Sequence, residues 1–510
     1  MSSRSLLALS PLLFLLSAGA LPTRAQCAVR QGRPSVDVRD CGAHSVTEPG
    51  FRDFDSTGAL RDALAAADVI EIPAGTWLLS QVVITSGKTI RTSGLRTVLR
   101  QRPSSMPDRP GTPNQDFPLL ELGGSDIDLG SFTAVGNIAD DLGEWNHAVN
   151  IGSAAGPIAR IHVGDIFGHD IRGDVLMIDG ANQGATGAGL VSAVSFGTIT
   201  GDNVYRSMVS INGGTDITGV AVGDRTTGGH SGYRTLDIEP NGWNQAPDGV
   251  VIGAVVGGSL QLASADPAHQ IIGTVTIGAV DLDSARQRRP RPDYQNPADH
   301  RSGFDQSVGI IASSWHKLRI GKLRVAGKTR AALMAPSPAN PDDGQVEIGH
   351  YQGSGNATDP QEPFPELHCA GCTRLRVDSG STTLPKPASG ATAKYFVSGG
   401  PDTAGTPTVV EIASFSLRGG GAFAATVAHG VFRHVTIAGT TQTATTPALF
   451  IDVNDSVFDD LRITGPHTLL WHGSRNVVMG TKLTTAELED GASANNVVIG
   501  AMPAPPPRRR

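Results

Sequence analysis

A short pattern in which β-favouring apolar residues alternate and then meet glycine recurs along this chain. Its copies are Ile161-His162-Val163-Gly164, Val194-Ser195-Phe196-Gly197, Val220-Ala221-Val222-Gly223, Val250-Val251-Ile252-Gly253, Val275-Thr276-Ile277-Gly278, Leu318-Arg319-Ile320-Gly321 and Val346-Glu347-Ile348-Gly349. The glycine-to-glycine steps are 33, 26, 30, 25, 43 and 28 residues. Unequal steps of this size are what a solenoid gives when segments of different length leave each coil. A second ladder lies between the copies of the first. It runs Leu120-Glu121-Leu122, Val149-Asn150-Ile151, Leu176-Met177-Ile178, Val209-Ser210-Ile211, Leu236-Asp237-Ile238 and Leu260-Gln261-Leu262. The outer positions of each set are Leu, Ile or Val, and the middle position varies. Side chains on a strand alternate between faces, so the constant residues point inward and stack from coil to coil. Two ladders of the same period mean at least two strands per coil, which predicts an all-β parallel solenoid. Systematic hairpin turns of the kind a sandwich needs are missing, and most steps are too short for a propeller blade.

The ends fit that reading. Asp55-Ser56-Thr57 can cap a short helix running through Leu60, Leu64 and the alanines 65–67. Such a helix would cover the open end of the solenoid. At the far end, strands are expected over Val431–Ile437, Ala448–Val453, Val457–Ile463 and Val497–Ile499. The expectation is one domain over 26–500, with long loops near 281–305 and 380–407 and a disordered Pro/Arg tail over 501–510.

Residues 1–25 read as a secretory signal. Arg4 opens it, an apolar run follows from Leu6 to Leu16, and Thr23-Arg24-Ala25 closes it with small residues. The run is too short to span a bilayer, and no later segment would make a transmembrane helix. The protein is therefore expected outside the cytoplasm, secreted or periplasmic. Without Arg4 and Arg24 the formal net charge moves from −7 to −9, which argues against nucleic acid as a partner. In an oxidising compartment the four cysteines should pair, and proximity favours Cys27 with Cys41 and Cys369 with Cys372.

Val36-Asp37-Val38-Arg39-Asp40-Cys41-Gly42-Ala43, the helix, and then Val69-Ile70-Glu71-Ile72-Pro73-Ala74-Gly75-Thr76-Trp77 follow one another near the start. This order resembles the entry to the solenoid in the pectate-lyase-like superfamily of right-handed parallel β-helix proteins. Pro73 would end a strand, and Gly75 would supply a positive φ. The strip Val204-Tyr205-Arg206-Ser207-Met208-Val209-Ser210-Ile211 and the later Asp237-Ile238-Glu239-Pro240-Asn241 are similar to a paired motif of bacterial members. The resemblance implies the fold and a carbohydrate context. The superfamily holds lyases, hydrolases, epimerases and non-enzymes, so no single reaction is implied.

The residues themselves offer one polar constellation. Asp237 and Glu239 are two apart on one strand, so both face outward while Leu236 and Ile238 anchor the strand. The ladder sets Ser210 beside Asp237, Asn212 beside Glu239 and Asp179 further along the Glu239 column, with Arg206 nearby. Asp237, Glu239, Arg206 and Asp179 are the catalytic candidates. Tyr233, His230, Trp145 and Asn212 are candidates for holding substrate. Paired carboxylates serve as acid and nucleophile or base in glycoside hydrolysis. They also serve in β-elimination, holding a divalent cation such as calcium while a base removes a proton. Alternatively, the Asp-Ile-Glu-Pro-Asn run is a turn that satisfies its own backbone. Outward positions are expected to carry little of the fold's stability. The segment 281–304, with Arg286, Arg288, Arg289, Arg291, Tyr294, Asp299, His300 and Arg301, either walls a groove or is a solvated loop. The functional expectation is a polysaccharide lyase or glycoside hydrolase; the alternative is a non-catalytic glycan-binding or surface protein.

Overall fold

The chain forms a parallel β-helix. The computed structural model describes Cys27 and residues 35–499 apart from 104–116, 139–145, 153–155, 181–189, 225–233, 241–245, 265–269, 285–307, 329, 335–342, 357–364, 386–394, 401–408, 420–421, 439–447, 465–468 and 480–494. Among the described residues, 24 strands join in a large sheet and 14 in a small one, and every pairing is parallel. No helix among the described residues is long and apolar enough to cross a membrane.

The small sheet follows the second ladder residue for residue. Val149 pairs with Leu120 and Leu176, Val209 with Leu176 and Leu236, and Leu236 with Leu260. The inward residues Val149, Ile151, Leu176, Ile178, Val209, Ile211, Leu236 and Ile238 are all fully buried. A one-residue slip would turn this row outward, so the apolar alternation itself fixes the register.

In the large sheet one coil departs from the ladder. Val194 pairs with Ile217, and Ile217 stands opposite Val250, since Thr218 pairs with Val251. The copy in that coil is therefore Ile217-Thr218-Gly219-Val220, three residues before the one the pattern suggests. Val220 lies outward, 63% exposed. Gly219 occupies an inward position because the Phe196 ring already fills that volume; a Cβ on Gly219 would strike the ring. A large residue and a glycine share one layer, which keeps the summed core volume even.

The recurring glycines are not turns. Strands run through them, as in Ile272–Asp283, Trp315–Ala326 and Gln345–Ser354. Gly253, Gly278, Gly321 and Gly349 stack directly on one another. A Cβ at Gly278 would lie 2.5 Å from the Gly253 carbonyl oxygen, and one at Gly349 would lie 2.6 Å from that of Gly321. The strand bends here and brings successive coils too close for any side chain.

The helix is Thr57–Ala66, with Leu60, Ala63 and Leu64 buried against the first coil. Asp55, rather than Ser56, satisfies its start, accepting the Thr57 N–H at 2.9 Å. The strand Val69–Ile72 ends at Pro73, and Gly75 has φ +147°. Cys27 and Cys41 lie within disulfide distance with Cα atoms 4.2 Å apart, and so do Cys369 and Cys372 with Cα atoms 5.5 Å apart.

Toward the C-terminus the core turns aromatic. Phe396 stacks on Phe415 at 4.0 Å between centroids, and Phe432 stacks on Phe458 at 4.7 Å. Two expected strands split at left-handed corners, one at His434 with φ 45° and one at Asp460 with φ 56°. They give His429–Arg433 with Val435–Ala438, and Val457–Asp459 with Arg462–Thr464. The expected long loop at 380–407 is a correction of the same kind. Residues 380–384 continue the strand Arg374–Leu384, and Tyr395–Gly399 is another strand. The signal segment, the tail over 501–510 and most of the expected loop at 281–305 lie outside the described residues.

Candidate functional site

The small sheet's outward face carries the predicted constellation in the predicted register. Ser210 pairs with Asp237, and Asp237 with Gln261. The Asp179, Asn212 and Glu239 backbones follow in one column, since the Asn212 N–H donates to Ile178 O at 2.9 Å and the Glu239 N–H to Ile211 O at 3.1 Å. Asp179 thus lies two coils from Glu239 in the same column. His230, Tyr233 and Trp145, together with Asn241, Tyr294, Asp299, His300 and Arg301, lie outside the described residues.

The face is not the open platform that alternation suggests. Met177, Ser210 and Asp237 are each 0% exposed and Gln261 5%, whereas Val83 at the start of the same outward row is 47% exposed. Alternation reports which side of the sheet a residue faces and is silent on what covers that side. Glu239 and Asp179 remain half-buried, and Asn212 is buried.

Asp237 is the anomaly of the site. Both of its carboxyl oxygens, and the Ser210 hydroxyl beside it, are buried with no hydrogen-bond partner among the described residues. Burial, then the negative charge of Glu239, hold the Asp237 carboxyl well above the usual carboxylate range; Asp174 adds to this, and Arg206 and Arg234 oppose it. A buried carboxyl without donors keeps its proton because ionisation would strand a charge in a poorly solvating interior.

A second polar column, which the sequence reading missed, runs beside the first. Counting two residues back from the first inward residue of successive strands gives His147, Asp174, Ser207 and Arg234, all at most 1% exposed. The Ser207 N–H donates to Asp174 Oδ1 at 2.8 Å, and Arg206 Nε lies 3.7 Å from the same oxygen. The Asp174 N–H donates to His147 Nδ1 at 2.9 Å. With Nδ1 accepting, the imidazole proton sits on Nε2. The 3.2 Å approach of Nδ1 to Asp174 Oδ2 is then a contact rather than a hydrogen bond. Burial works to raise Asp174, but the Arg206 charge, the adjacent His147 and the Ser207 N–H together outweigh it, and its carboxyl is held below the usual range. Arg234 donates to Gln261 Oε1 at 3.1 Å, and Arg172 lies 3.7 Å over the Tyr205 ring.

The site therefore holds two buried carboxyls whose surroundings push their proton affinities apart. They stand two coils apart, and opposed surroundings of this kind are how one protein keeps an acid and a carboxylate at one pH. Among the described residues, no three His, Cys, Asp or Glu side chains stand together as a metal-holding group. Two guanidinium groups, Arg206 and Arg234, and two carboxylates, Glu239 and Asp174, act on Asp237.

No family model and no curated protein matches the chain. Solved structures do. One, described as the structure of a family 28 exopolygalacturonase of Yersinia enterocolitica, aligns with 92% of this chain and 79% of its own, at 10% identity and a TM-score of 0.23.

Proposed function

We propose that this protein is exported and cleaves a polysaccharide as a glycoside hydrolase, with Asp237 delivering the proton to the leaving oxygen. The observation that supports this is the Asp237 carboxyl, wholly buried, without a hydrogen-bond partner among the described residues, and pushed up in proton affinity. A general acid must hold its proton near neutral pH, and burial is the usual means. Glu239 is the second carboxyl. It is half-buried, so it is the member through which substrate would be approached. Two positions along a strand separate backbone atoms by about 6.6 Å and put both side chains on the same face of the sheet. Asp179 and Asn212 extend the polar column along the axis, in the direction a sugar chain would lie.

Assay on a polysaccharide panel tests the proposal. Asp237→Asn and, separately, Glu239→Gln are each expected to lower turnover by at least about 10²-fold, the scale of lost general acid–base help. A hydrolase releases saturated sugars. An unsaturated uronate product would assign the reaction to β-elimination instead. Undiminished turnover in both variants, or glycan binding without turnover that survives both, would sink the catalytic reading.

A further inference from the structure

Arg206 belongs to the coil between the one that carries Asp174 and the one that carries Asp237. Arg206 is 8% exposed, and both carboxyls are 0% exposed. The same guanidinium acts on both of them, and it stands 3.7 Å from Asp174. Asp174 cannot drift from this place, because the Ser207 N–H holds its carboxyl and its own N–H is tied to His147. The other guanidinium that acts on Asp237, that of Arg234, is directed to Gln261 and Ser259 on the following coil.

A buried carboxyl lacking donors would take a neighbouring guanidinium as a charge-assisted partner if one were free to turn. The pair would then be ionised, and the acid would be lost. We propose that Asp174 is a positioning residue that holds the Arg206 guanidinium on its own side of the column, so that it does not close on the Asp237 carboxyl. This rests on Asp237 being the proton donor and adds the reason it can be one.

The proposal predicts opposite effects from two neighbouring substitutions. Asp174→Asn removes a negative charge near Asp237 and the ion pair that draws Arg206 to position 174, so Asp237 loses its proton more readily. Arg206→Met removes the opposing positive charge, so Asp237 holds its proton to higher pH. Arg206→Lys keeps a charge there and should stay close to the parent protein. The measurement is the titration of the Asp237 carboxyl carbon by NMR in protein labelled at aspartate, with its signal identified by its absence in Asp237→Asn. The midpoint should move down in Asp174→Asn and up in Arg206→Met, each by about one pH unit, the lower end of what an adjacent charge does to a carboxyl. The basic limb of the pH–rate profile should move the same way in each variant. A merely structural role for the pair would not give shifts of opposite sign.

Shifts of the same sign, or no shift in either variant, overturn the proposal. Should Asp174→Asn fail to fold, Arg206→Met against Arg206→Lys decides: equal midpoints refute, an upward shift confined to Met supports. The two readings separate cleanly. Opposite shifts with full activity in Asp237→Asn would leave the electrostatic arrangement standing and remove the catalytic one. An inactive Asp237→Asn with unmoved midpoints would do the reverse.

Discussion

At the scale of the residue, Asp237 sets function against stability. Its carboxyl binds a proton more tightly in the folded chain than in the unfolded one. The folded state therefore carries more protons, starting near the unfolded Asp value of about 4 and ending at the raised folded value. Stability attributable to this group falls as pH climbs through that window and is fully present below it. Asp237→Asn removes the cost of burying a charge, so its advantage should be small at pH 4 and about 1–3 kcal/mol at pH 8, read from urea unfolding at both values. An equal effect at both pH values would show that the carboxyl is not buried as described. This reverses the expectation that outward residues carry little stability. Glu366 makes the contrasting case. It is also buried and raised in proton affinity by burial, but it accepts from Tyr351 and Asn356 at 2.6 Å and from Thr382 at 2.7 Å. Tyr351→Phe should cost about 1–3 kcal/mol, since it strips a donor from a satisfied buried group, with unfolding midpoints as the check. The sequence disclosed Asp237, Glu239, Ser210 and Asn212 as neighbours, because register follows from alternation. It did not disclose that the face is covered, nor Asp174 and Ser207. Those lie before each strand begins, where no periodicity marks them, although counting back from the same ladder would have aligned them.

At the scale of the element, the six rungs read for the small-sheet ladder pair as expected and the large-sheet copies do so in all but one coil, while the two ladders leave out the remaining rungs of the 14-stranded and 24-stranded sheets. The error at Val220 has a physical source. Ile217-Thr218-Gly219 puts glycine where an apolar residue is expected, because Phe196 reaches across the layer. A pattern of single positions cannot register a compensation between two coils. The recurring glycines are crowding points between coils. Gly321→Ala should therefore destabilise by about 1–3 kcal/mol, as overpacking does, since its Cβ would meet the Gly278 carbonyl at 2.5 Å. Gly58, in the N-terminal helix, meets nothing within 4 Å. Gly58→Ala should stabilise by about 0.5–1 kcal/mol. The two alanine variants, compared by urea midpoint, should move in opposite directions. The C-terminal coils hold a regular 20-residue step that the sequence reading passed over, Val457 pairing with Val477 and Val477 with Val497. Inside it, the Ser456 N–H donates to Asn476 Oδ1 and the Asn476 N–H to Asn496 Oδ1, both at 3.0 Å. Serine and asparagine carry that step, and a search for apolar alternation overlooks them.

At the scale of the whole molecule, each coil rests only on its neighbours, so stability is close to a sum of coil and interface terms. The parallel ladder of the large sheet runs unbroken past the Ser/Thr/Pro-rich stretch near residue 390, through the pairing of Arg374–Leu384 with Val409–Ile412 and Phe415–Gly419. Limited proteolysis should accordingly yield no pair of stable halves divided there; two such halves on a gel would count against a single domain. Mass mapping of a non-reduced digest should find Cys27 linked to Cys41, and free thiols at both would refute the pairing. Chain length is held constant on one side of the molecule and released on the other. The bend within the large sheet always falls at the same stacked position, while the chain between the small and large sheets is 3 residues long from Ile211 to Thr215 and 12 from Ile178 to Val191. Insertions and deletions in a lineage of such proteins would collect at the ends of the small sheet, around the carboxyl columns. Descendants could thus exchange the surroundings of that face freely while inheriting the scaffold beneath it unaltered.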